Sequence, residues 1–503
     1  MRVALGRARG FPPAATVVAA SVALLAAYLA RGHGNLKYAP LIVIGPILTI
    51  VFVSLAKRWS WMVALTVVVV IVIPNDGRYT LAAHLPIQME PYRVIVGLVI
   101  VGWLVALLVD PRVRACATRL DRPIALIVIA TLGSEFMNPG RMATVTSYVI
   151  KAIWLLACLV LLYYVIVSVI RNRATLDRLI AVVVSAGCIE ALGAMYQRRS
   201  GTDIFDHLHF LLPGFSFNGV LPGTVLQRGG GLRATGSAGH PIELSATMAM
   251  LLPLAIYLAI SRKQKRWWVA AVILLGGDFA GGSRTGVLGL LMIALVFIWL
   301  RPRQTLRCWP ALFPALVVVH FVSPGALGAV QGAFFPSGGL LKQQSSVFVG
   351  RGGVVLDNSR LSRLGPSLTE WEQHNPFFGE GYGTRVTGYL PNGKPNPDDN
   401  ANVLDDQWLK TFLETGLLGM AGWIWLFARA IRRLAARAKL ERDTPEGWLP
   451  VALAGSVASF AMSMLTYDAL SFTQATCVLF VLLAIGAIVL SLPAIEGRTQ
   501  HEI

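Results

Sequence analysis

The chain has 503 residues, of which 55% are hydrophobic and only 14% charged, with a mean hydropathy of +0.63. A soluble domain carries about a quarter charged residues, so these proportions exclude water as the main solvent. The net charge of +18 is no sign of nucleic acid, because no basic stripe alternates with aromatic residues. Five cysteines (Cys116, Cys158, Cys188, Cys308, Cys477) without CxxC spacing exclude a disulfide framework and a zinc site.

Apolar runs long enough to span a bilayer recur through the chain, which predicts an all-α, polytopic transmembrane helical bundle. Spans are expected near 14–30, 39–56, 60–74, 94–109, 123–137, 147–170, 179–196, 241–260, 267–282, 285–300, 309–323, 411–428, 448–465 and 472–491, about 12–14 in all. The first run, Ala14 to Ala30, follows Arg2, Arg7 and Arg9; with no small-x-small cleavage site, it reads as a span and not a signal peptide.

Alternate short loops carry the positive charge: "KRW", "DPRVRACATRLDR", "RNRATLDR", "SRKQKR", "RPRQTLR" and "ARAIRRLAARAKLER". Such loops stay in the cytoplasm, so both termini are expected there. The resulting map has a cytoplasmic N-terminus (1–13), N-terminal transmembrane helices (14–196), a first outer loop (197–240) and central transmembrane helices (241–323). A large outer loop with amphipathic helices (324–410) and C-terminal transmembrane helices with a cytoplasmic tail (411–503) complete it. Loops of this length are uncommon unless they are functional or disordered.

Candidate functional residues fall on the expected outer face. Arg233 precedes a helix beginning near Pro241, and Arg284 occupies the short hairpin "GGSRTGVLGL". A guanidinium there offers planar paired donors for phosphate oxygens, or else anchors the helix at the headgroups. Arg360 and Arg363 are one helical turn apart and share a face. Pro376, Gly379, Gly381 and Gly383 shape a tight turn; their GxGxG follows no strand, so a dinucleotide-binding reading fails. Asp405 and Asp406 precede a helix that re-enters the membrane. Helix capping explains one of them, and general-base work on a sugar hydroxyl is open to the other.

His374 and His240 are the better-placed histidines, ahead of His207 and His209. HExxH and HxxxH spacings are absent, so no metal is indicated, and neither a GxSxG elbow nor a P-loop lysine occurs. Lys151, Glu190 and Asp278 lie inside expected spans, either as an ion path or as structural charges. The first of these would suit a transporter or flippase.

Four pieces together resemble the O-antigen ligase/O-antigen polymerase family of bacterial envelope glycan transferases. They are "RATGSAGHPIELSA", "SRTGVLGL", "RLSRLGPSLTEWEQHNPFFGEGYG" and "DDQWLKTFLETGLLG", spread over roughly residues 230–425. The resemblance implies a glycosyltransferase that joins a polyprenyl-diphosphate-linked oligosaccharide to a glycan or glycolipid acceptor, without cofactor or metal. It implies that Arg233 and Arg284 bind the diphosphate, with Arg360 and Arg363 assisting, and that a chain-length regulator is a further partner. Ligases of the family carry His-Asn where this chain has Asp405 and Asp406 before Trp408 and Leu409. That departure looks more like a polymerase. It implies Asp405 as the base, with Asp406 or His374 in its place.

Overall fold

The computed structural model describes residues 59–75, 77–81, 89–109, 113–212, 214–219, 227–228, 231–308, 310, 312–322, 347–349, 355–357, 375–385 and 405–494. The spans expected at 14–30 and 39–56 lie outside the described residues. In chain order the helices are α1 (Trp59–Val72), α2 (Pro91–Val109), α3 (Asp121–Met137), α4 (Pro139–Thr144), α5 (Thr146–Val169), α6 (Arg173–Ser200) and α7 (Pro241–Arg262). There follow α8 (Lys265–Gly281), α9 (Arg284–Leu300), α10 (Pro302–Cys308), α11 (Leu312–Val322), α12 (Gln407–Leu440), α13 (Trp448–Ser463) and α14 (Thr473–Ser491). Strands are two- or three-residue pieces, such as Tyr79–Leu81 paired antiparallel with Phe215–Phe217.

Six of these helices, α2, α5, α6, α7, α12 and α14, are long and apolar enough to cross a membrane; α1 and α9 are shorter apolar helices. The fold is therefore an all-α polytopic bundle, which is what a bilayer demands of a chain that must satisfy its backbone internally. Burial ranks the helices by position. The apolar window of α14 is 94% buried and that of α7 is 78% buried, but that of α2 is only 33% buried, so α7 and α14 form the centre and α2 the rim.

Local signals set the helix ends. Asn172 caps α6 by accepting from the Thr175 amide, and Gly201 ends it in the left-handed region. Ser283 caps α9 through the Thr285 amide, and Asp406 caps α12 through the Leu409 amide. The helix α14 has no side-chain cap of its own: Glu243 of α7 reaches across, and its Oε1 accepts from the amides of Gln474 (2.7 Å) and Ala475 (3.2 Å).

The bundle has two unlike ends. One, the basic end, gathers Arg114, Arg119, Arg171, Arg173, Arg262, Arg266, Arg303, Arg432 and Arg433. Here Arg301 is 3% exposed and donates to the carbonyls of Ala438 (2.8 Å), Gly447 (3.4 Å) and Glu441 (3.5 Å), tying three segments together. The other, the loop end, receives segment 231–240 and residues 375–385.

Candidate functional site

The loop end is organised by segments that fold back among the helices. Arg78 anchors the first. It is buried, and its Nη1 donates to Asp203 (3.0 Å), Asp206 (3.3 Å) and the Gly236 carbonyl (3.0 Å). Burial pushes the Asp203 carboxyl up, and the Arg78 charge opposes that shift. Gln197 of α6 accepts from the amides of Thr235 and Gly236 at 2.9 Å each, and Arg198 donates to the carbonyls of Leu232 (2.7 Å) and Ala280 (3.2 Å). Segment 232–236 is thereby pinned between α6 and the end of α8.

That pinning places Arg233. Its guanidinium is buried, and Nε donates to the Gly281 carbonyl at 3.1 Å. Gly281 ends α8 and leads through Gly282 and Ser283 to Arg284, the first residue of α9. Two arginines fifty-one positions apart in sequence are thus brought to one hairpin, with Arg284 half-buried as the first residue of α9. The N-terminus of a helix also favours anions through its dipole and unpaired amides.

His240 stands beside Arg233. Its Nδ1 accepts from the Ile242 amide at 3.1 Å and caps α7, so its proton resides on Nε2. Burial, and then the charge of Arg233, pushes its pKa down to about 4. The ring lies 5.8 Å from that of Phe472.

The second folded-back piece clips onto a break in α12. At Gly416 the backbone turns to φ 63°, ψ −160°, interrupting the helix. Residues 376–381 take up the bonds that the break releases. The amides of Glu380 and Gly381 donate to the carbonyls of Leu413 (2.9 Å) and Glu414 (3.2 Å). In return, the amides of Leu417 and Leu418 donate to the carbonyls of Pro376 (3.0 Å) and Phe377 (3.2 Å). Two helical i→i+4 bonds are exchanged for four bonds between segments. A Cβ on Gly379 would lie 2.3 Å from the Leu413 oxygen, and one on Gly416 would lie 2.5 Å from the Phe377 carbonyl. Both positions therefore need glycine for close approach as well as for positive φ. Gly379, Gly381 and Gly383 have φ of 70°, 115° and 71°.

The expected site residues divide accordingly. Arg233, Arg284, Asp405 and Asp406 belong to one connected region. Thr285 shares a hydroxyl hydrogen bond with Thr466 at 2.7 Å, and the Gln407 amide donates to the Met464 carbonyl at 2.8 Å, linking the arginine hairpin to the start of α12. Asp406 is the cap of α12. Asp405 is exposed, with φ 48°, a left-handed conformation that Asp tolerates better than most residues. Pro376, Gly379, Gly381 and Gly383 form the clip. Arg360, Arg363 and His374 lie outside the described residues. Among the charges inside helices, Glu190 and Asp278 are fully buried and Lys151 is half-buried. Among the described residues no group of three or more His, Cys, Asp or Glu is placed to hold a metal ion.

Sequence reasoning missed several ionic ties. Glu380, 1% exposed, is held between Arg385, which donates to it through Nε, and Arg141 at 3.4 Å. Lys410 pairs with Asp468 at 2.9 Å. No spacing rule finds Arg141 for Glu380 or Asp468 for Lys410, because those partners lie far apart in the chain. Glu243 had a local signal: it stands three residues after the cap His240, and its Oε2 accepts from the Gly239 amide at 2.9 Å.

Residues 269–424 match the family described as O-antigen ligase. The match covers Arg284, the clip, the Asp405–Asp406 pair and the break at Gly416; Arg233 lies ahead of it. No curated protein matches the chain.

Proposed function

We propose, for a chain whose residues 269–424 belong to the O-antigen ligase family, that it polymerises polyprenyl-diphosphate-linked oligosaccharide on the outer face of the bacterial cytoplasmic membrane. The observation that carries this reading is the meeting of Arg233 and Arg284 on one hairpin at the mouth of α9, at the end opposite the basic loops. Positive loops remain cytoplasmic, so the loop end faces outward and both termini inward.

Arg233 and Arg284 hold the donor's diphosphate, with Arg360 and Arg363 assisting from the large outer loop. An acceptor hydroxyl attacks the anomeric carbon. The bond from that carbon to the diphosphate oxygen breaks, and the carrier diphosphate leaves with the electron pair. Guanidinium groups held in place by the fold stabilise the negative charge as it develops. Asp406 is engaged as a helix cap. Exposed Asp405 takes the hydroxyl proton, and His374 of the outer loop assists. The paired aspartates in place of His-Asn favour a polymerase over a ligase, and a chain-length regulator acts beside it.

The test is a gel profile of envelope glycans from cells lacking the protein, re-supplied with the wild type or with Arg284→Ala. Single repeat units without it, and a ladder restored only by the wild type, are the expected result. Full ladders with both Arg233→Ala and Arg284→Ala would remove the diphosphate role. Long chains that persist on the carrier would make the protein a ligase.

A further inference from the structure

Two rings at the loop end, His240 and Phe472, take no part in the transfer chemistry above. Their centres are 5.8 Å apart, with the planes at 51°. Both are only part buried. Behind Phe472 stands the buried ring of Tyr467, centre to centre 5.2 Å, which fixes the Phe472 ring in place.

His240 is set as a hydrogen-bond donor. Its Nδ1 is committed to the Ile242 amide, so the neutral ring carries its proton on Nε2. That N–H has no partner among the described residues. It can give a hydrogen bond, but Nε2 cannot take up a proton, so at that atom His240 is a recognition group and not a base.

The pair is tied to both ends of the proposed reaction. On one side His240 stands beside Arg233. On the other, Phe472 follows the short turn Ala469–Ser471, which is fastened to the first turn of α12. The Leu470 amide donates to Gln407 Oε1 at 2.9 Å, and Lys410 Nζ donates to Ser471 Oγ at 3.1 Å. Asp405 and Asp406 immediately precede that turn. In a displacement at the anomeric carbon, the attacking oxygen, the carbon and the leaving oxygen fall in line. With the diphosphate at Arg233 and the base at Asp405, the transferred sugar lies between them, on the side of His240 and Phe472. The C–H face of a pyranose matches an aromatic face, and its hydroxyl or acetamido oxygens match a fixed N–H.

We propose that Phe472 and His240 form the subsite for the sugar joined to the donor's diphosphate: the Phe472 ring stacks on its C–H face and His240 Nε2–H donates to one of its substituent oxygens. The subsite rests on the lipid-linked donor reading above and adds the residues that select and orient the reacting sugar.

The experiment measures binding of two ligands to the full-length protein in phosphatidylcholine nanodiscs. One is polyprenyl diphosphate without sugar, the other the lipid-linked repeat unit extracted from cells lacking the protein. His240→Asn keeps an acceptor for the Ile242 amide but withdraws the N–H, and Phe472→Leu keeps apolar bulk without the aromatic face. Each should bind the sugar-bearing lipid roughly five- to tenfold more weakly, the scale of one lost hydrogen bond or ring contact. Each should bind the sugar-free lipid as the wild type does. Phe472→Tyr should retain both affinities, and Arg233→Ala should weaken both ligands alike. A merely structural role would lower both affinities together; that result, or wild-type affinity for both ligands in both variants, would overturn the proposal. Equal elongation of the lipid-linked unit by the wild type and both variants would remove the subsite and leave the transfer reading standing. A wild type that binds both lipids alike and transfers nothing would remove the transfer reading, and the subsite with it.

Discussion

The two ends of the bundle hold their arginines in different ways. At the basic end Arg301 donates to three main-chain carbonyls near helix ends, and Arg437 donates to Glu441 (2.9 Å). These are joints. At the loop end Arg78 is a joint of the same kind, but Arg233 and Arg284 converge on the mouth of a helix that itself favours anions. Burial of an arginine thus says nothing about its role. Arg233 too donates to a carbonyl of the fold, that of Gly281, so the ligand-binding role proposed for it and Arg284 rests on their place at a helix mouth.

The comparison can be broken by substitution at either end. The largest effect is expected from Arg284→Ala, which should lower glycan transfer roughly 10²–10³-fold, the scale for removing one donor to a developing charge. Its thermal midpoint should stay near that of the wild type. A large loss of stability instead would make Arg284 a joint like Arg301.

Next comes the clip. Gly379→Ala and Gly416→Ala each place a methyl within 2.5 Å of a backbone atom of the opposing segment, at positive φ. Left-handed strain alone costs ~1–2 kcal/mol, and the clash adds to it. Both variants should lose activity and clip protection together in hydrogen exchange, with α7 and α14 unaffected.

At the basic end, Arg301→Ala strips buried carbonyls of their donor and should cost about 2–4 kcal/mol of stability. Activity per folded molecule should not change, as an activity assay normalised to folded protein would show.

Two smaller effects sharpen the difference within the loop end. Asp406→Ala removes a cap worth about 1 kcal/mol and should leave the chemical rate alone, whereas Asp405→Asn should lower the rate by ~10²-fold if it acts as the base. The last effect is pH dependence. His240 has a folded pKa of about 4 against an ordinary value of about 6.5, so between these values the unfolded state binds more protons. Stability is therefore full above about pH 6.5 and falls as the pH drops toward 4. Thermal midpoints across that range should show the slope, and His240→Asn, which keeps an acceptor for the Ile242 amide, should flatten it.

The sequence by itself determined the class of fold and the position of most helices. Apolar length and the limits set by Gly, Pro and capping residues are local properties, and a bilayer leaves a backbone few alternatives to a helix. The arginine pair, the clip motif and the re-entry at Asp405–Asp406 were also legible, because each carries its own short pattern. Tertiary structure alone decided what those patterns do. The bond exchange at Gly416 depends on a segment some forty residues away, Glu243 caps a helix more than two hundred residues downstream, and Glu380 is held by Arg141 of the short helix α4. Hydrogen bonds and ion pairs depend on distance in space, and spacing along the chain sets that distance only within a helix or a tight turn.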